Sequence, residues 1–287
     1  MAFNLQTIRD IRNHISGELK EIYPEEEIQS LFEIMVLHIL GGSKAGLLGN
    51  PQRRLTNEES ERIMLFCNEL KTGRPVQYIT GETVFYNCRI RVGPEVLIPR
   101  PETEELVDLV LRENRNFSGT ITDACTGSGC IAIALARNLP AAGITGLDNT
   151  PAALKTASGN ALLNRVSINF ILSDILKNGI ADAPKPDIIV SNPPYVRESE
   201  KALMHRNVLE FEPHSALFVP DDDPLVFYRA ILESGNRVMD RGGKIYFEIN
   251  EAMGESMVNL MESLNYIGIR VVSDINGRDR IIKGTLK

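Results

Sequence analysis

Asn192-Pro193-Pro194-Tyr195 places a planar amide, two rigid carbonyl oxygens and an aromatic ring within four consecutive residues. Neither proline has an N–H and each fixes its own φ, so nothing local competes for the nearby oxygens and their directions are held. Asn192 adds an acceptor and an NH₂ donor. Such a tetrad accepts the two hydrogens of a flat NH₂ group while Tyr195 packs on its face, leaving the nitrogen lone pair aimed at an electrophile. A methyl sulfonium is the electrophile that suits so weak a nucleophile. The same four residues also make a rigid turn after a strand, so the elements around them must decide.

The strand Thr120-Ile121-Thr122-Asp123 runs into Ala124-Cys125-Thr126-Gly127-Ser128-Gly129 and then an apolar helix from Ile131 to Arg137. Glycines in this position let a ligand approach the backbone, and the helix N-terminus offers N–H groups and positive dipole to a carboxylate or phosphate. The turn lacks the Lys of a P-loop and is not the spaced G-x-G-x-x-G of dinucleotide folds. The next strand, Gly143 to Leu147, ends at Asp148, 25 residues after Asp123, where a carboxylate can accept both ribose hydroxyls of an adenosine. Thr150-Pro151 opens the following helix. A third strand, Ile168 to Leu172, reaches Ser173-Asp174-Ile175, with Asp174 placed to accept from an adenine amino group and Ile175 to pack on the ring. A fourth, Asp187 to Ser191, delivers Asn192. Each acidic residue by itself also suits a helix N-cap. Four successive strands ending at one edge with these groups predict the ligand edge of a doubly wound sheet.

With these motifs the chain resembles the class I S-adenosylmethionine-dependent methyltransferases. Further segments narrow the likeness: Arg74-Pro75-Val76-Gln77-Tyr78-Ile79, Val96-Leu97-Ile98-Pro99-Arg100-Pro101-Glu102-Thr103-Glu104, Glu212-Pro213 with Ala216-Leu217, and Gly277-Arg278-Asp279-Arg280. Together with the tetrad they resemble the bacterial peptide chain release factor N(5)-glutamine methyltransferases, the HemK/PrmC family. The resemblance is dense over the catalytic region and hairpin, and covers the N-terminal region mainly in position and size.

The resemblance implies an α/β, Rossmann-like sheet with a small N-terminal helical bundle and a β-hairpin linker. It implies methyl transfer from S-adenosyl-L-methionine to the side-chain amide of the glutamine in the Gly-Gly-Gln motif of class I release factors, which the helical region would help to engage. The family's cofactor turn falls on Cys125, Thr126, Gly127, Ser128 and Gly129, its ribose carboxylate on Asp148 and its adenine side on Asp174 and Ile175. Its substrate tetrad falls on Asn192, Pro193, Pro194 and Tyr195, with Asn192 adjoining the cofactor as well. Cys125 stands where the family usually has glycine, so the turn must tolerate a small side chain. Asn87 replaces a usual hairpin glycine, where Asn is a natural substitute at positive φ.

Three other readings stay open on sequence: a methyltransferase for exocyclic amines of nucleic acid, the related glutamine methyltransferase of a ribosomal protein, and a release-factor-binding module without turnover. A net charge of −7 opposes long-range attraction to a nucleic-acid backbone, and no target-recognition insert is evident. The ribosomal-protein enzyme differs in the proline-rich segment around Arg100.

The elements that must position these groups fall into three regions. Residues 1–73 read as a helical substrate-recognition domain. Leu5, Ile8, Ile11 and Ile15 share a helical face, Pro24 opens a second helix that Gly41-Gly42 stops, and Thr56 with Glu59 has capping-box spacing for a third, striped by Ile63, Phe66, Cys67 and Leu70 and ending at Gly73. Residues 74–98 read as a hairpin linker, extended from Val76 onward, with Cys88, Ile90 and Val92 alternating and Tyr86-Asn87 at a tight turn. Residues 99–287 carry the methyltransferase domain, opening with Pro99-Arg100-Pro101 before a helix bearing Leu106, Val107, Val110 and Leu111. Glu212-Pro213-His214, in the long stretch before the Pro224 helix, is a candidate loop to close over the substrate, or a structural turn.

The 287 residues, 43% hydrophobic and 24% charged, suffice for one large core and a smaller domain. Charge interrupts the first ten residues too early for a signal peptide, and the apolar run from Ile34 to Leu40 is too short for a bilayer; the expectation is a cytoplasmic monomer. The four cysteines form no C-x-x-C pair and the four histidines no H-x-x-x-H spacing, so no metal site is expected and the thiols read as reduced, packed groups.

Overall fold

The first helix, α1 (Ile8–Leu19), begins where Thr7 and Asp10 close a reciprocal capping box, and it buries Ile8, Ile11, Ile15 and Leu19. The computed structural model describes residues 6–287, so Leu5, assigned above to this face, lies outside the described residues. The chain forms two units, 6–81 with His205–Phe211, and Glu82–Met204 with Glu212–Lys287.

In the helical unit, Pro24 precedes α2 (Glu25–Leu40), whose first turn carries Glu25, Glu26 and Glu27 at the positive end of the helix dipole. Gly41, at φ +66°, ends it. Ser43 caps the short α3 (Lys44–Leu48). Thr56 and Glu59 form the expected capping box on α4 (Asn57–Lys71), which turns Ile63, Phe66, Cys67 and Leu70 into the same core as Phe32 and Met35. Each such buried side chain contributes roughly 1.5–3 kcal/mol.

Residues 76–80 correct the sequence reading, for they form a helix, α5 (Val76–Thr80), and not extended chain. Pro75 presets φ at −54° at the N-cap and its carbonyl accepts from the Tyr78 N–H at 2.9 Å. The β-branched residues of this stretch mislead because burial of Tyr78 outweighs their weak strand preference.

The second unit opens with the hairpin of β1 (Glu82–Phe85) and β2 (Cys88–Arg91). Its turn residues Tyr86 and Asn87 both take positive φ, 45° and 60°, the handedness that matches strand twist. After α6 (Pro101–Glu113) come β3 (Thr120–Ala124), α7 (Cys130–Asn138), β4 (Gly143–Asp148), α8 (Pro151–Leu163), β5 (Asn169–Leu172), the short α9 (Ile175–Asn178) and β6 (Ile188–Ser191). Then follow β7 (Val196–Arg197), α10 (Arg206–Phe211, in the helical unit), β8 (Phe218–Val219), α11 (Val226–Val238), β9 (Lys244–Glu248), α12 (Gly254–Ser263), β10 (Tyr266–Ser273) and β11 (Asp279–Leu286).

The sheet order is β10-β11-β9-β6-β3-β4-β5. All neighbours from β9 to β5 pair in parallel, and β11 runs antiparallel to both β9 and β10. The buried run Ile188-Ile189-Val190-Ser191 is what a central parallel strand covered on both faces requires. Tyr228, Ile231 and Leu232 of α11 pack with Ile189, Ile245 and Phe247 of the sheet. Because β3, β4, β5 and β6 are parallel neighbours, their C-terminal ends at Ala124, Asp148, Leu172 and Ser191 lie at one edge, as the sequence predicts. All four cysteines are free. Among the described residues no helix is long and apolar enough to cross a membrane.

Candidate active site

Leaving β3, the chain takes positive φ at Cys125 (61°), Gly127 (53°) and Gly129 (80°). Cys125 therefore adopts the left-handed conformation for which glycine is the easier residue. Thr126 N–H donates to the Leu147 carbonyl at 2.8 Å, and Gly129 N–H to the Thr126 carbonyl at 2.8 Å. Beneath the turn, Asp123 Oδ2 accepts from Thr126 Oγ1 at 2.6 Å and from the Ala132 N–H at 3.2 Å, joining turn to helix. Burial, with the Asp148 charge adding to it, pushes the Asp123 carboxyl up to about 7.

The two glycines differ in use. A Cβ on Gly127 would meet nothing within 4 Å, whereas one on Gly129 would lie 3.0 Å from Ala157 Cβ. Gly127 thus faces open space, and Gly129 allows α8 to pack against the turn. Asn160 of α8, fully buried, donates to the carbonyls of Ser128 and Arg91, both at 2.9 Å, and accepts from the Arg91 N–H at 2.8 Å. One side chain so ties the turn to the hairpin.

Asp148 accepts from the Gly127 N–H at 2.9 Å and the Thr150 N–H at 3.0 Å. A single cleft is lined by Cys125, Thr126, Gly127, Ser128, Asp148, Ile175, Asn192 and Pro194, joined by Arg100, Thr103, Pro213, Ala216 and Phe227. Most of the candidate residues therefore meet. Gly129, Asp174, Pro193 and Tyr195 are not among the lining residues.

Asp174 does not line the cleft. Its carboxylate caps α9, accepting from the Leu176 N–H at 3.0 Å, and pairs with Lys177 at 2.7 Å, which holds it below the usual carboxylate range. Its neighbours Ser173 and Ile175 reach the cleft instead. A residue type that serves equally as cap and as ligand acceptor gives no means of choosing between them from sequence.

The tetrad leaves β6 and runs into β7, which pairs with β8. Asn192 Nδ2 donates to Thr103 Oγ1 at 3.2 Å, Thr103 Oγ1 donates to Glu248 Oε2 at 2.7 Å, and Tyr195 OH donates to Glu248 Oε1 at 3.0 Å. Glu248 is only 1% exposed. Burial pushes its carboxyl up, opposed by the Thr103 and Tyr195 hydroxyls and by the Arg280 charge. Arg280, in β11, bonds Asp274 at 3.3 Å; none of Gly277, Arg278, Asp279 and Arg280 lines the cleft, and the segment bears on the site through the Arg280 charge at Glu248.

Glu248 and Phe227 were not singled out from sequence, and Arg100, Thr103 and Glu212 appear there only within segments of resemblance, with no pairing or hydrogen-bonding role assigned to them. The signal for Glu248 was present, an acidic residue closing the apolar strand Ile245-Tyr246-Phe247. Glu212 is 4% exposed, accepts from the Ile98 N–H at 3.1 Å and pairs with Arg100 at 2.5 Å. Glu212-Pro213-His214 is accordingly a bolted wall, with Pro213 and Ala216 facing the cleft.

The lining suits an adenosine sulfonium. It combines an open glycine position, a carboxylate beside it, apolar Ile175 and Phe227, and the Asn192 amide.

Residues 80–211 match the family model described as the methyltransferase small domain, and residues 10–81 that of the PrmC N-terminal domain. A protein of Flavobacterium psychrophilum named release factor glutamine methyltransferase is 44% identical over 280 residues, 96% of this chain and 98% of its own length. One of the same name from Bacteroides thetaiotaomicron is 42% identical over 272 residues, 95% and 98% of the two chains. Among solved structures, a Thermus thermophilus 16S rRNA N2 G1207 methyltransferase in complex with AdoMet and guanosine aligns with TM-score 0.51 at 15% identity, over 72% of this chain and 50% of that one. A methyltransferase from Pyrococcus furiosus aligns with TM-score 0.50 at 15% identity, over 68% and 87%. At such identities the structural matches show the fold alone.

Proposed function

The chain belongs to the release factor glutamine methyltransferases, and on that premise we propose that it methylates the side-chain amide nitrogen of the glutamine in the Gly-Gly-Gln motif of class I release factors. The observation that carries this reading is the convergence of the Asn192 amide and the Asp148 carboxylate, with its glycine turn, on one cleft. S-adenosylmethionine is the methyl donor, supplying an electrophilic methyl group on a sulfonium.

Asp148 accepts the ribose hydroxyls, Gly127 leaves room for the ligand at the backbone, and Ile175 packs on the adenine within the helical turn that Asp174 caps. The two hydrogens of the substrate amide are assigned to Oδ1 of Asn192, which lines the cleft, and to the carbonyl of Pro193, which like Tyr195 is not part of that lining. An amide lone pair is delocalised into its carbonyl, so positioning and these acceptors must do most of the work. They favour positive charge on nitrogen as the new N–C bond forms and the methyl–sulfur bond breaks, its electron pair returning to sulfur to leave a neutral thioether. The effect is on the order of 10²–10³ in rate for one such group. The nitrogen proton becomes acidic once the methyl is attached and leaves to water, so no strong base is required. The helical unit, residues 1–73 in the sequence reading, is assigned to holding the release factor.

Labelled S-adenosylmethionine is incubated with a purified release factor, with its Gln-to-Ala variant and with duplex DNA. Label on the wild-type factor alone is the expected result, and label on DNA sinks the reading. Asn192→Ala should lower turnover by about 10²–10³-fold, well beyond any loss of S-adenosylmethionine affinity; near-normal turnover removes Asn192 from its role.

A further inference from the structure

We propose that Glu248 is a positioning residue that acts through Thr103 to fix which end of the Asn192 amide faces the substrate. The inference rests on the function proposed above and deepens it, because only one orientation of Asn192 presents an acceptor to an incoming NH₂ group.

The argument follows from the inventory of protons. The ionised form of Glu248, favoured against burial by a hydroxyl on each oxygen and by the Arg280 charge, offers acceptors only. Thr103 has a single hydroxyl proton, and its 2.7 Å contact with Glu248 Oε2 uses it. Thr103 Oγ1 can then only accept from Asn192, so the Asn192 NH₂ must turn toward Thr103, where Nδ2 lies 3.2 Å away. Oδ1 is left for the cleft that Asn192 lines. The other carboxylate oxygen of Glu248 takes the Tyr195 hydroxyl at 3.0 Å. One buried side chain therefore holds both ends of the tetrad, and the Glu248 carbonyl is itself pinned by Tyr228 OH at 2.8 Å. Without this relay the two orientations of an asparagine amide are nearly equal in shape, and the wrong one sets NH₂ against NH₂.

Glu248→Gln leaves one acceptor oxygen where two stood, so that Thr103 and Tyr195 can no longer each donate to an oxygen of their own and the direction of the relay is no longer fixed, and Thr103→Val removes the hydroxyl while keeping the volume. Thr103→Ser keeps the hydroxyl. For each variant, kcat and KM for the release factor, the Kd of S-adenosylmethionine by calorimetry and the melting temperature are compared with wild type. Expected are a fall in kcat of about ten-fold or more in Glu248→Gln and Thr103→Val, with both affinities within about three-fold, and recovery of most of that loss in Thr103→Ser. A smaller fall in Thr103→Val, an equal loss in Thr103→Ser, or a loss of S-adenosylmethionine affinity in step with kcat overturns the proposal. Should Glu248→Gln fail to fold, Thr103→Val decides.

A second readout needs no release factor. The Asn192 side-chain NH₂ proton pair, identified in a ¹⁵N spectrum by its absence in Asn192→Asp, should be protected from exchange in wild type and lose that protection in Thr103→Val. Unchanged protection overturns the proposal, whereas failure of wild type to methylate any release factor overturns the functional reading and leaves this measurement standing.

Discussion

Replacing Asp123 by Asn should change how stability depends on pH before it changes anything else. Asp123 is fully buried, and its Oδ2 accepts from Thr126 and Ala132 while its Oδ1 has no partner. Burial raises its carboxyl from 3.8 to about 7. Between these values the folded protein holds a proton that the unfolded chain has released. Stability from this group is complete below 3.8, declines as pH rises through the window, and is gone above about 7. The slope reaches about 1.4 kcal/mol per pH unit, and the integral is roughly 4 kcal/mol at most. Asn is neutral throughout, and its Oδ1 still accepts from Thr126 and Ala132, so the turn keeps its tie to the helix. Urea unfolding without S-adenosylmethionine, at pH values from about 4.5 to 8, should show the two proteins within about 1 kcal/mol at the acid end. At pH 8 the variant should be more stable by about 2–4 kcal/mol. A difference that stays flat across this range, or a variant weaker at pH 8 than at pH 4.5 relative to wild type, refutes the argument that Asp123 is buried at an energetic penalty.

Gly127→Ala and Gly129→Ala should part company. The first places its methyl in open space and should cost about 1–2 kcal/mol of stability for its positive φ while weakening S-adenosylmethionine binding at least about ten-fold in calorimetry. The second pushes on Ala157 and the α8 backbone, so thermal unfolding should register a larger loss, about 2–4 kcal/mol with the strained φ included. Normal S-adenosylmethionine affinity in Gly127→Ala contradicts the placement of the ligand at this turn. Asp148→Asn removes charge-assisted acceptance worth about 1.5–3 kcal/mol, so its Kd for S-adenosylmethionine should rise about ten- to a hundred-fold; with one acceptor oxygen gone, the Gly127 or the Thr150 N–H loses its partner and the melting temperature should fall too, while an unchanged Kd excludes Asp148 from ribose binding.

How much of this site is legible in the chain depends on whether the determining interaction is local. The Thr56–Glu59 capping box, the left-handed Asn87 and the order of strand, turn and helix around Gly127 are set within a few residues, and each is readable. The helix at Val76–Thr80 is not, because Tyr78 is held by tertiary burial that its neighbours do not encode. Asp174 shows a different limit. Its residue type fits two roles, and only the nearby Lys177 and the free N–H of Leu176 select the cap. The relay under the tetrad is further still from local coding, since Thr103 and Glu248 lie 145 positions apart and Arg100 and Glu212 lie 112 apart. Sequence therefore identifies the atoms that can do chemistry, an amide oxygen at Asn192 and a carboxylate at Asp148, because atom type is local. Which way Asn192 presents that oxygen depends on counting protons among residues that the parallel sheet alone brings together. The distinction has a physical consequence: a chain could keep every recognisable motif and still lose turnover through Glu248, which lies in none of them.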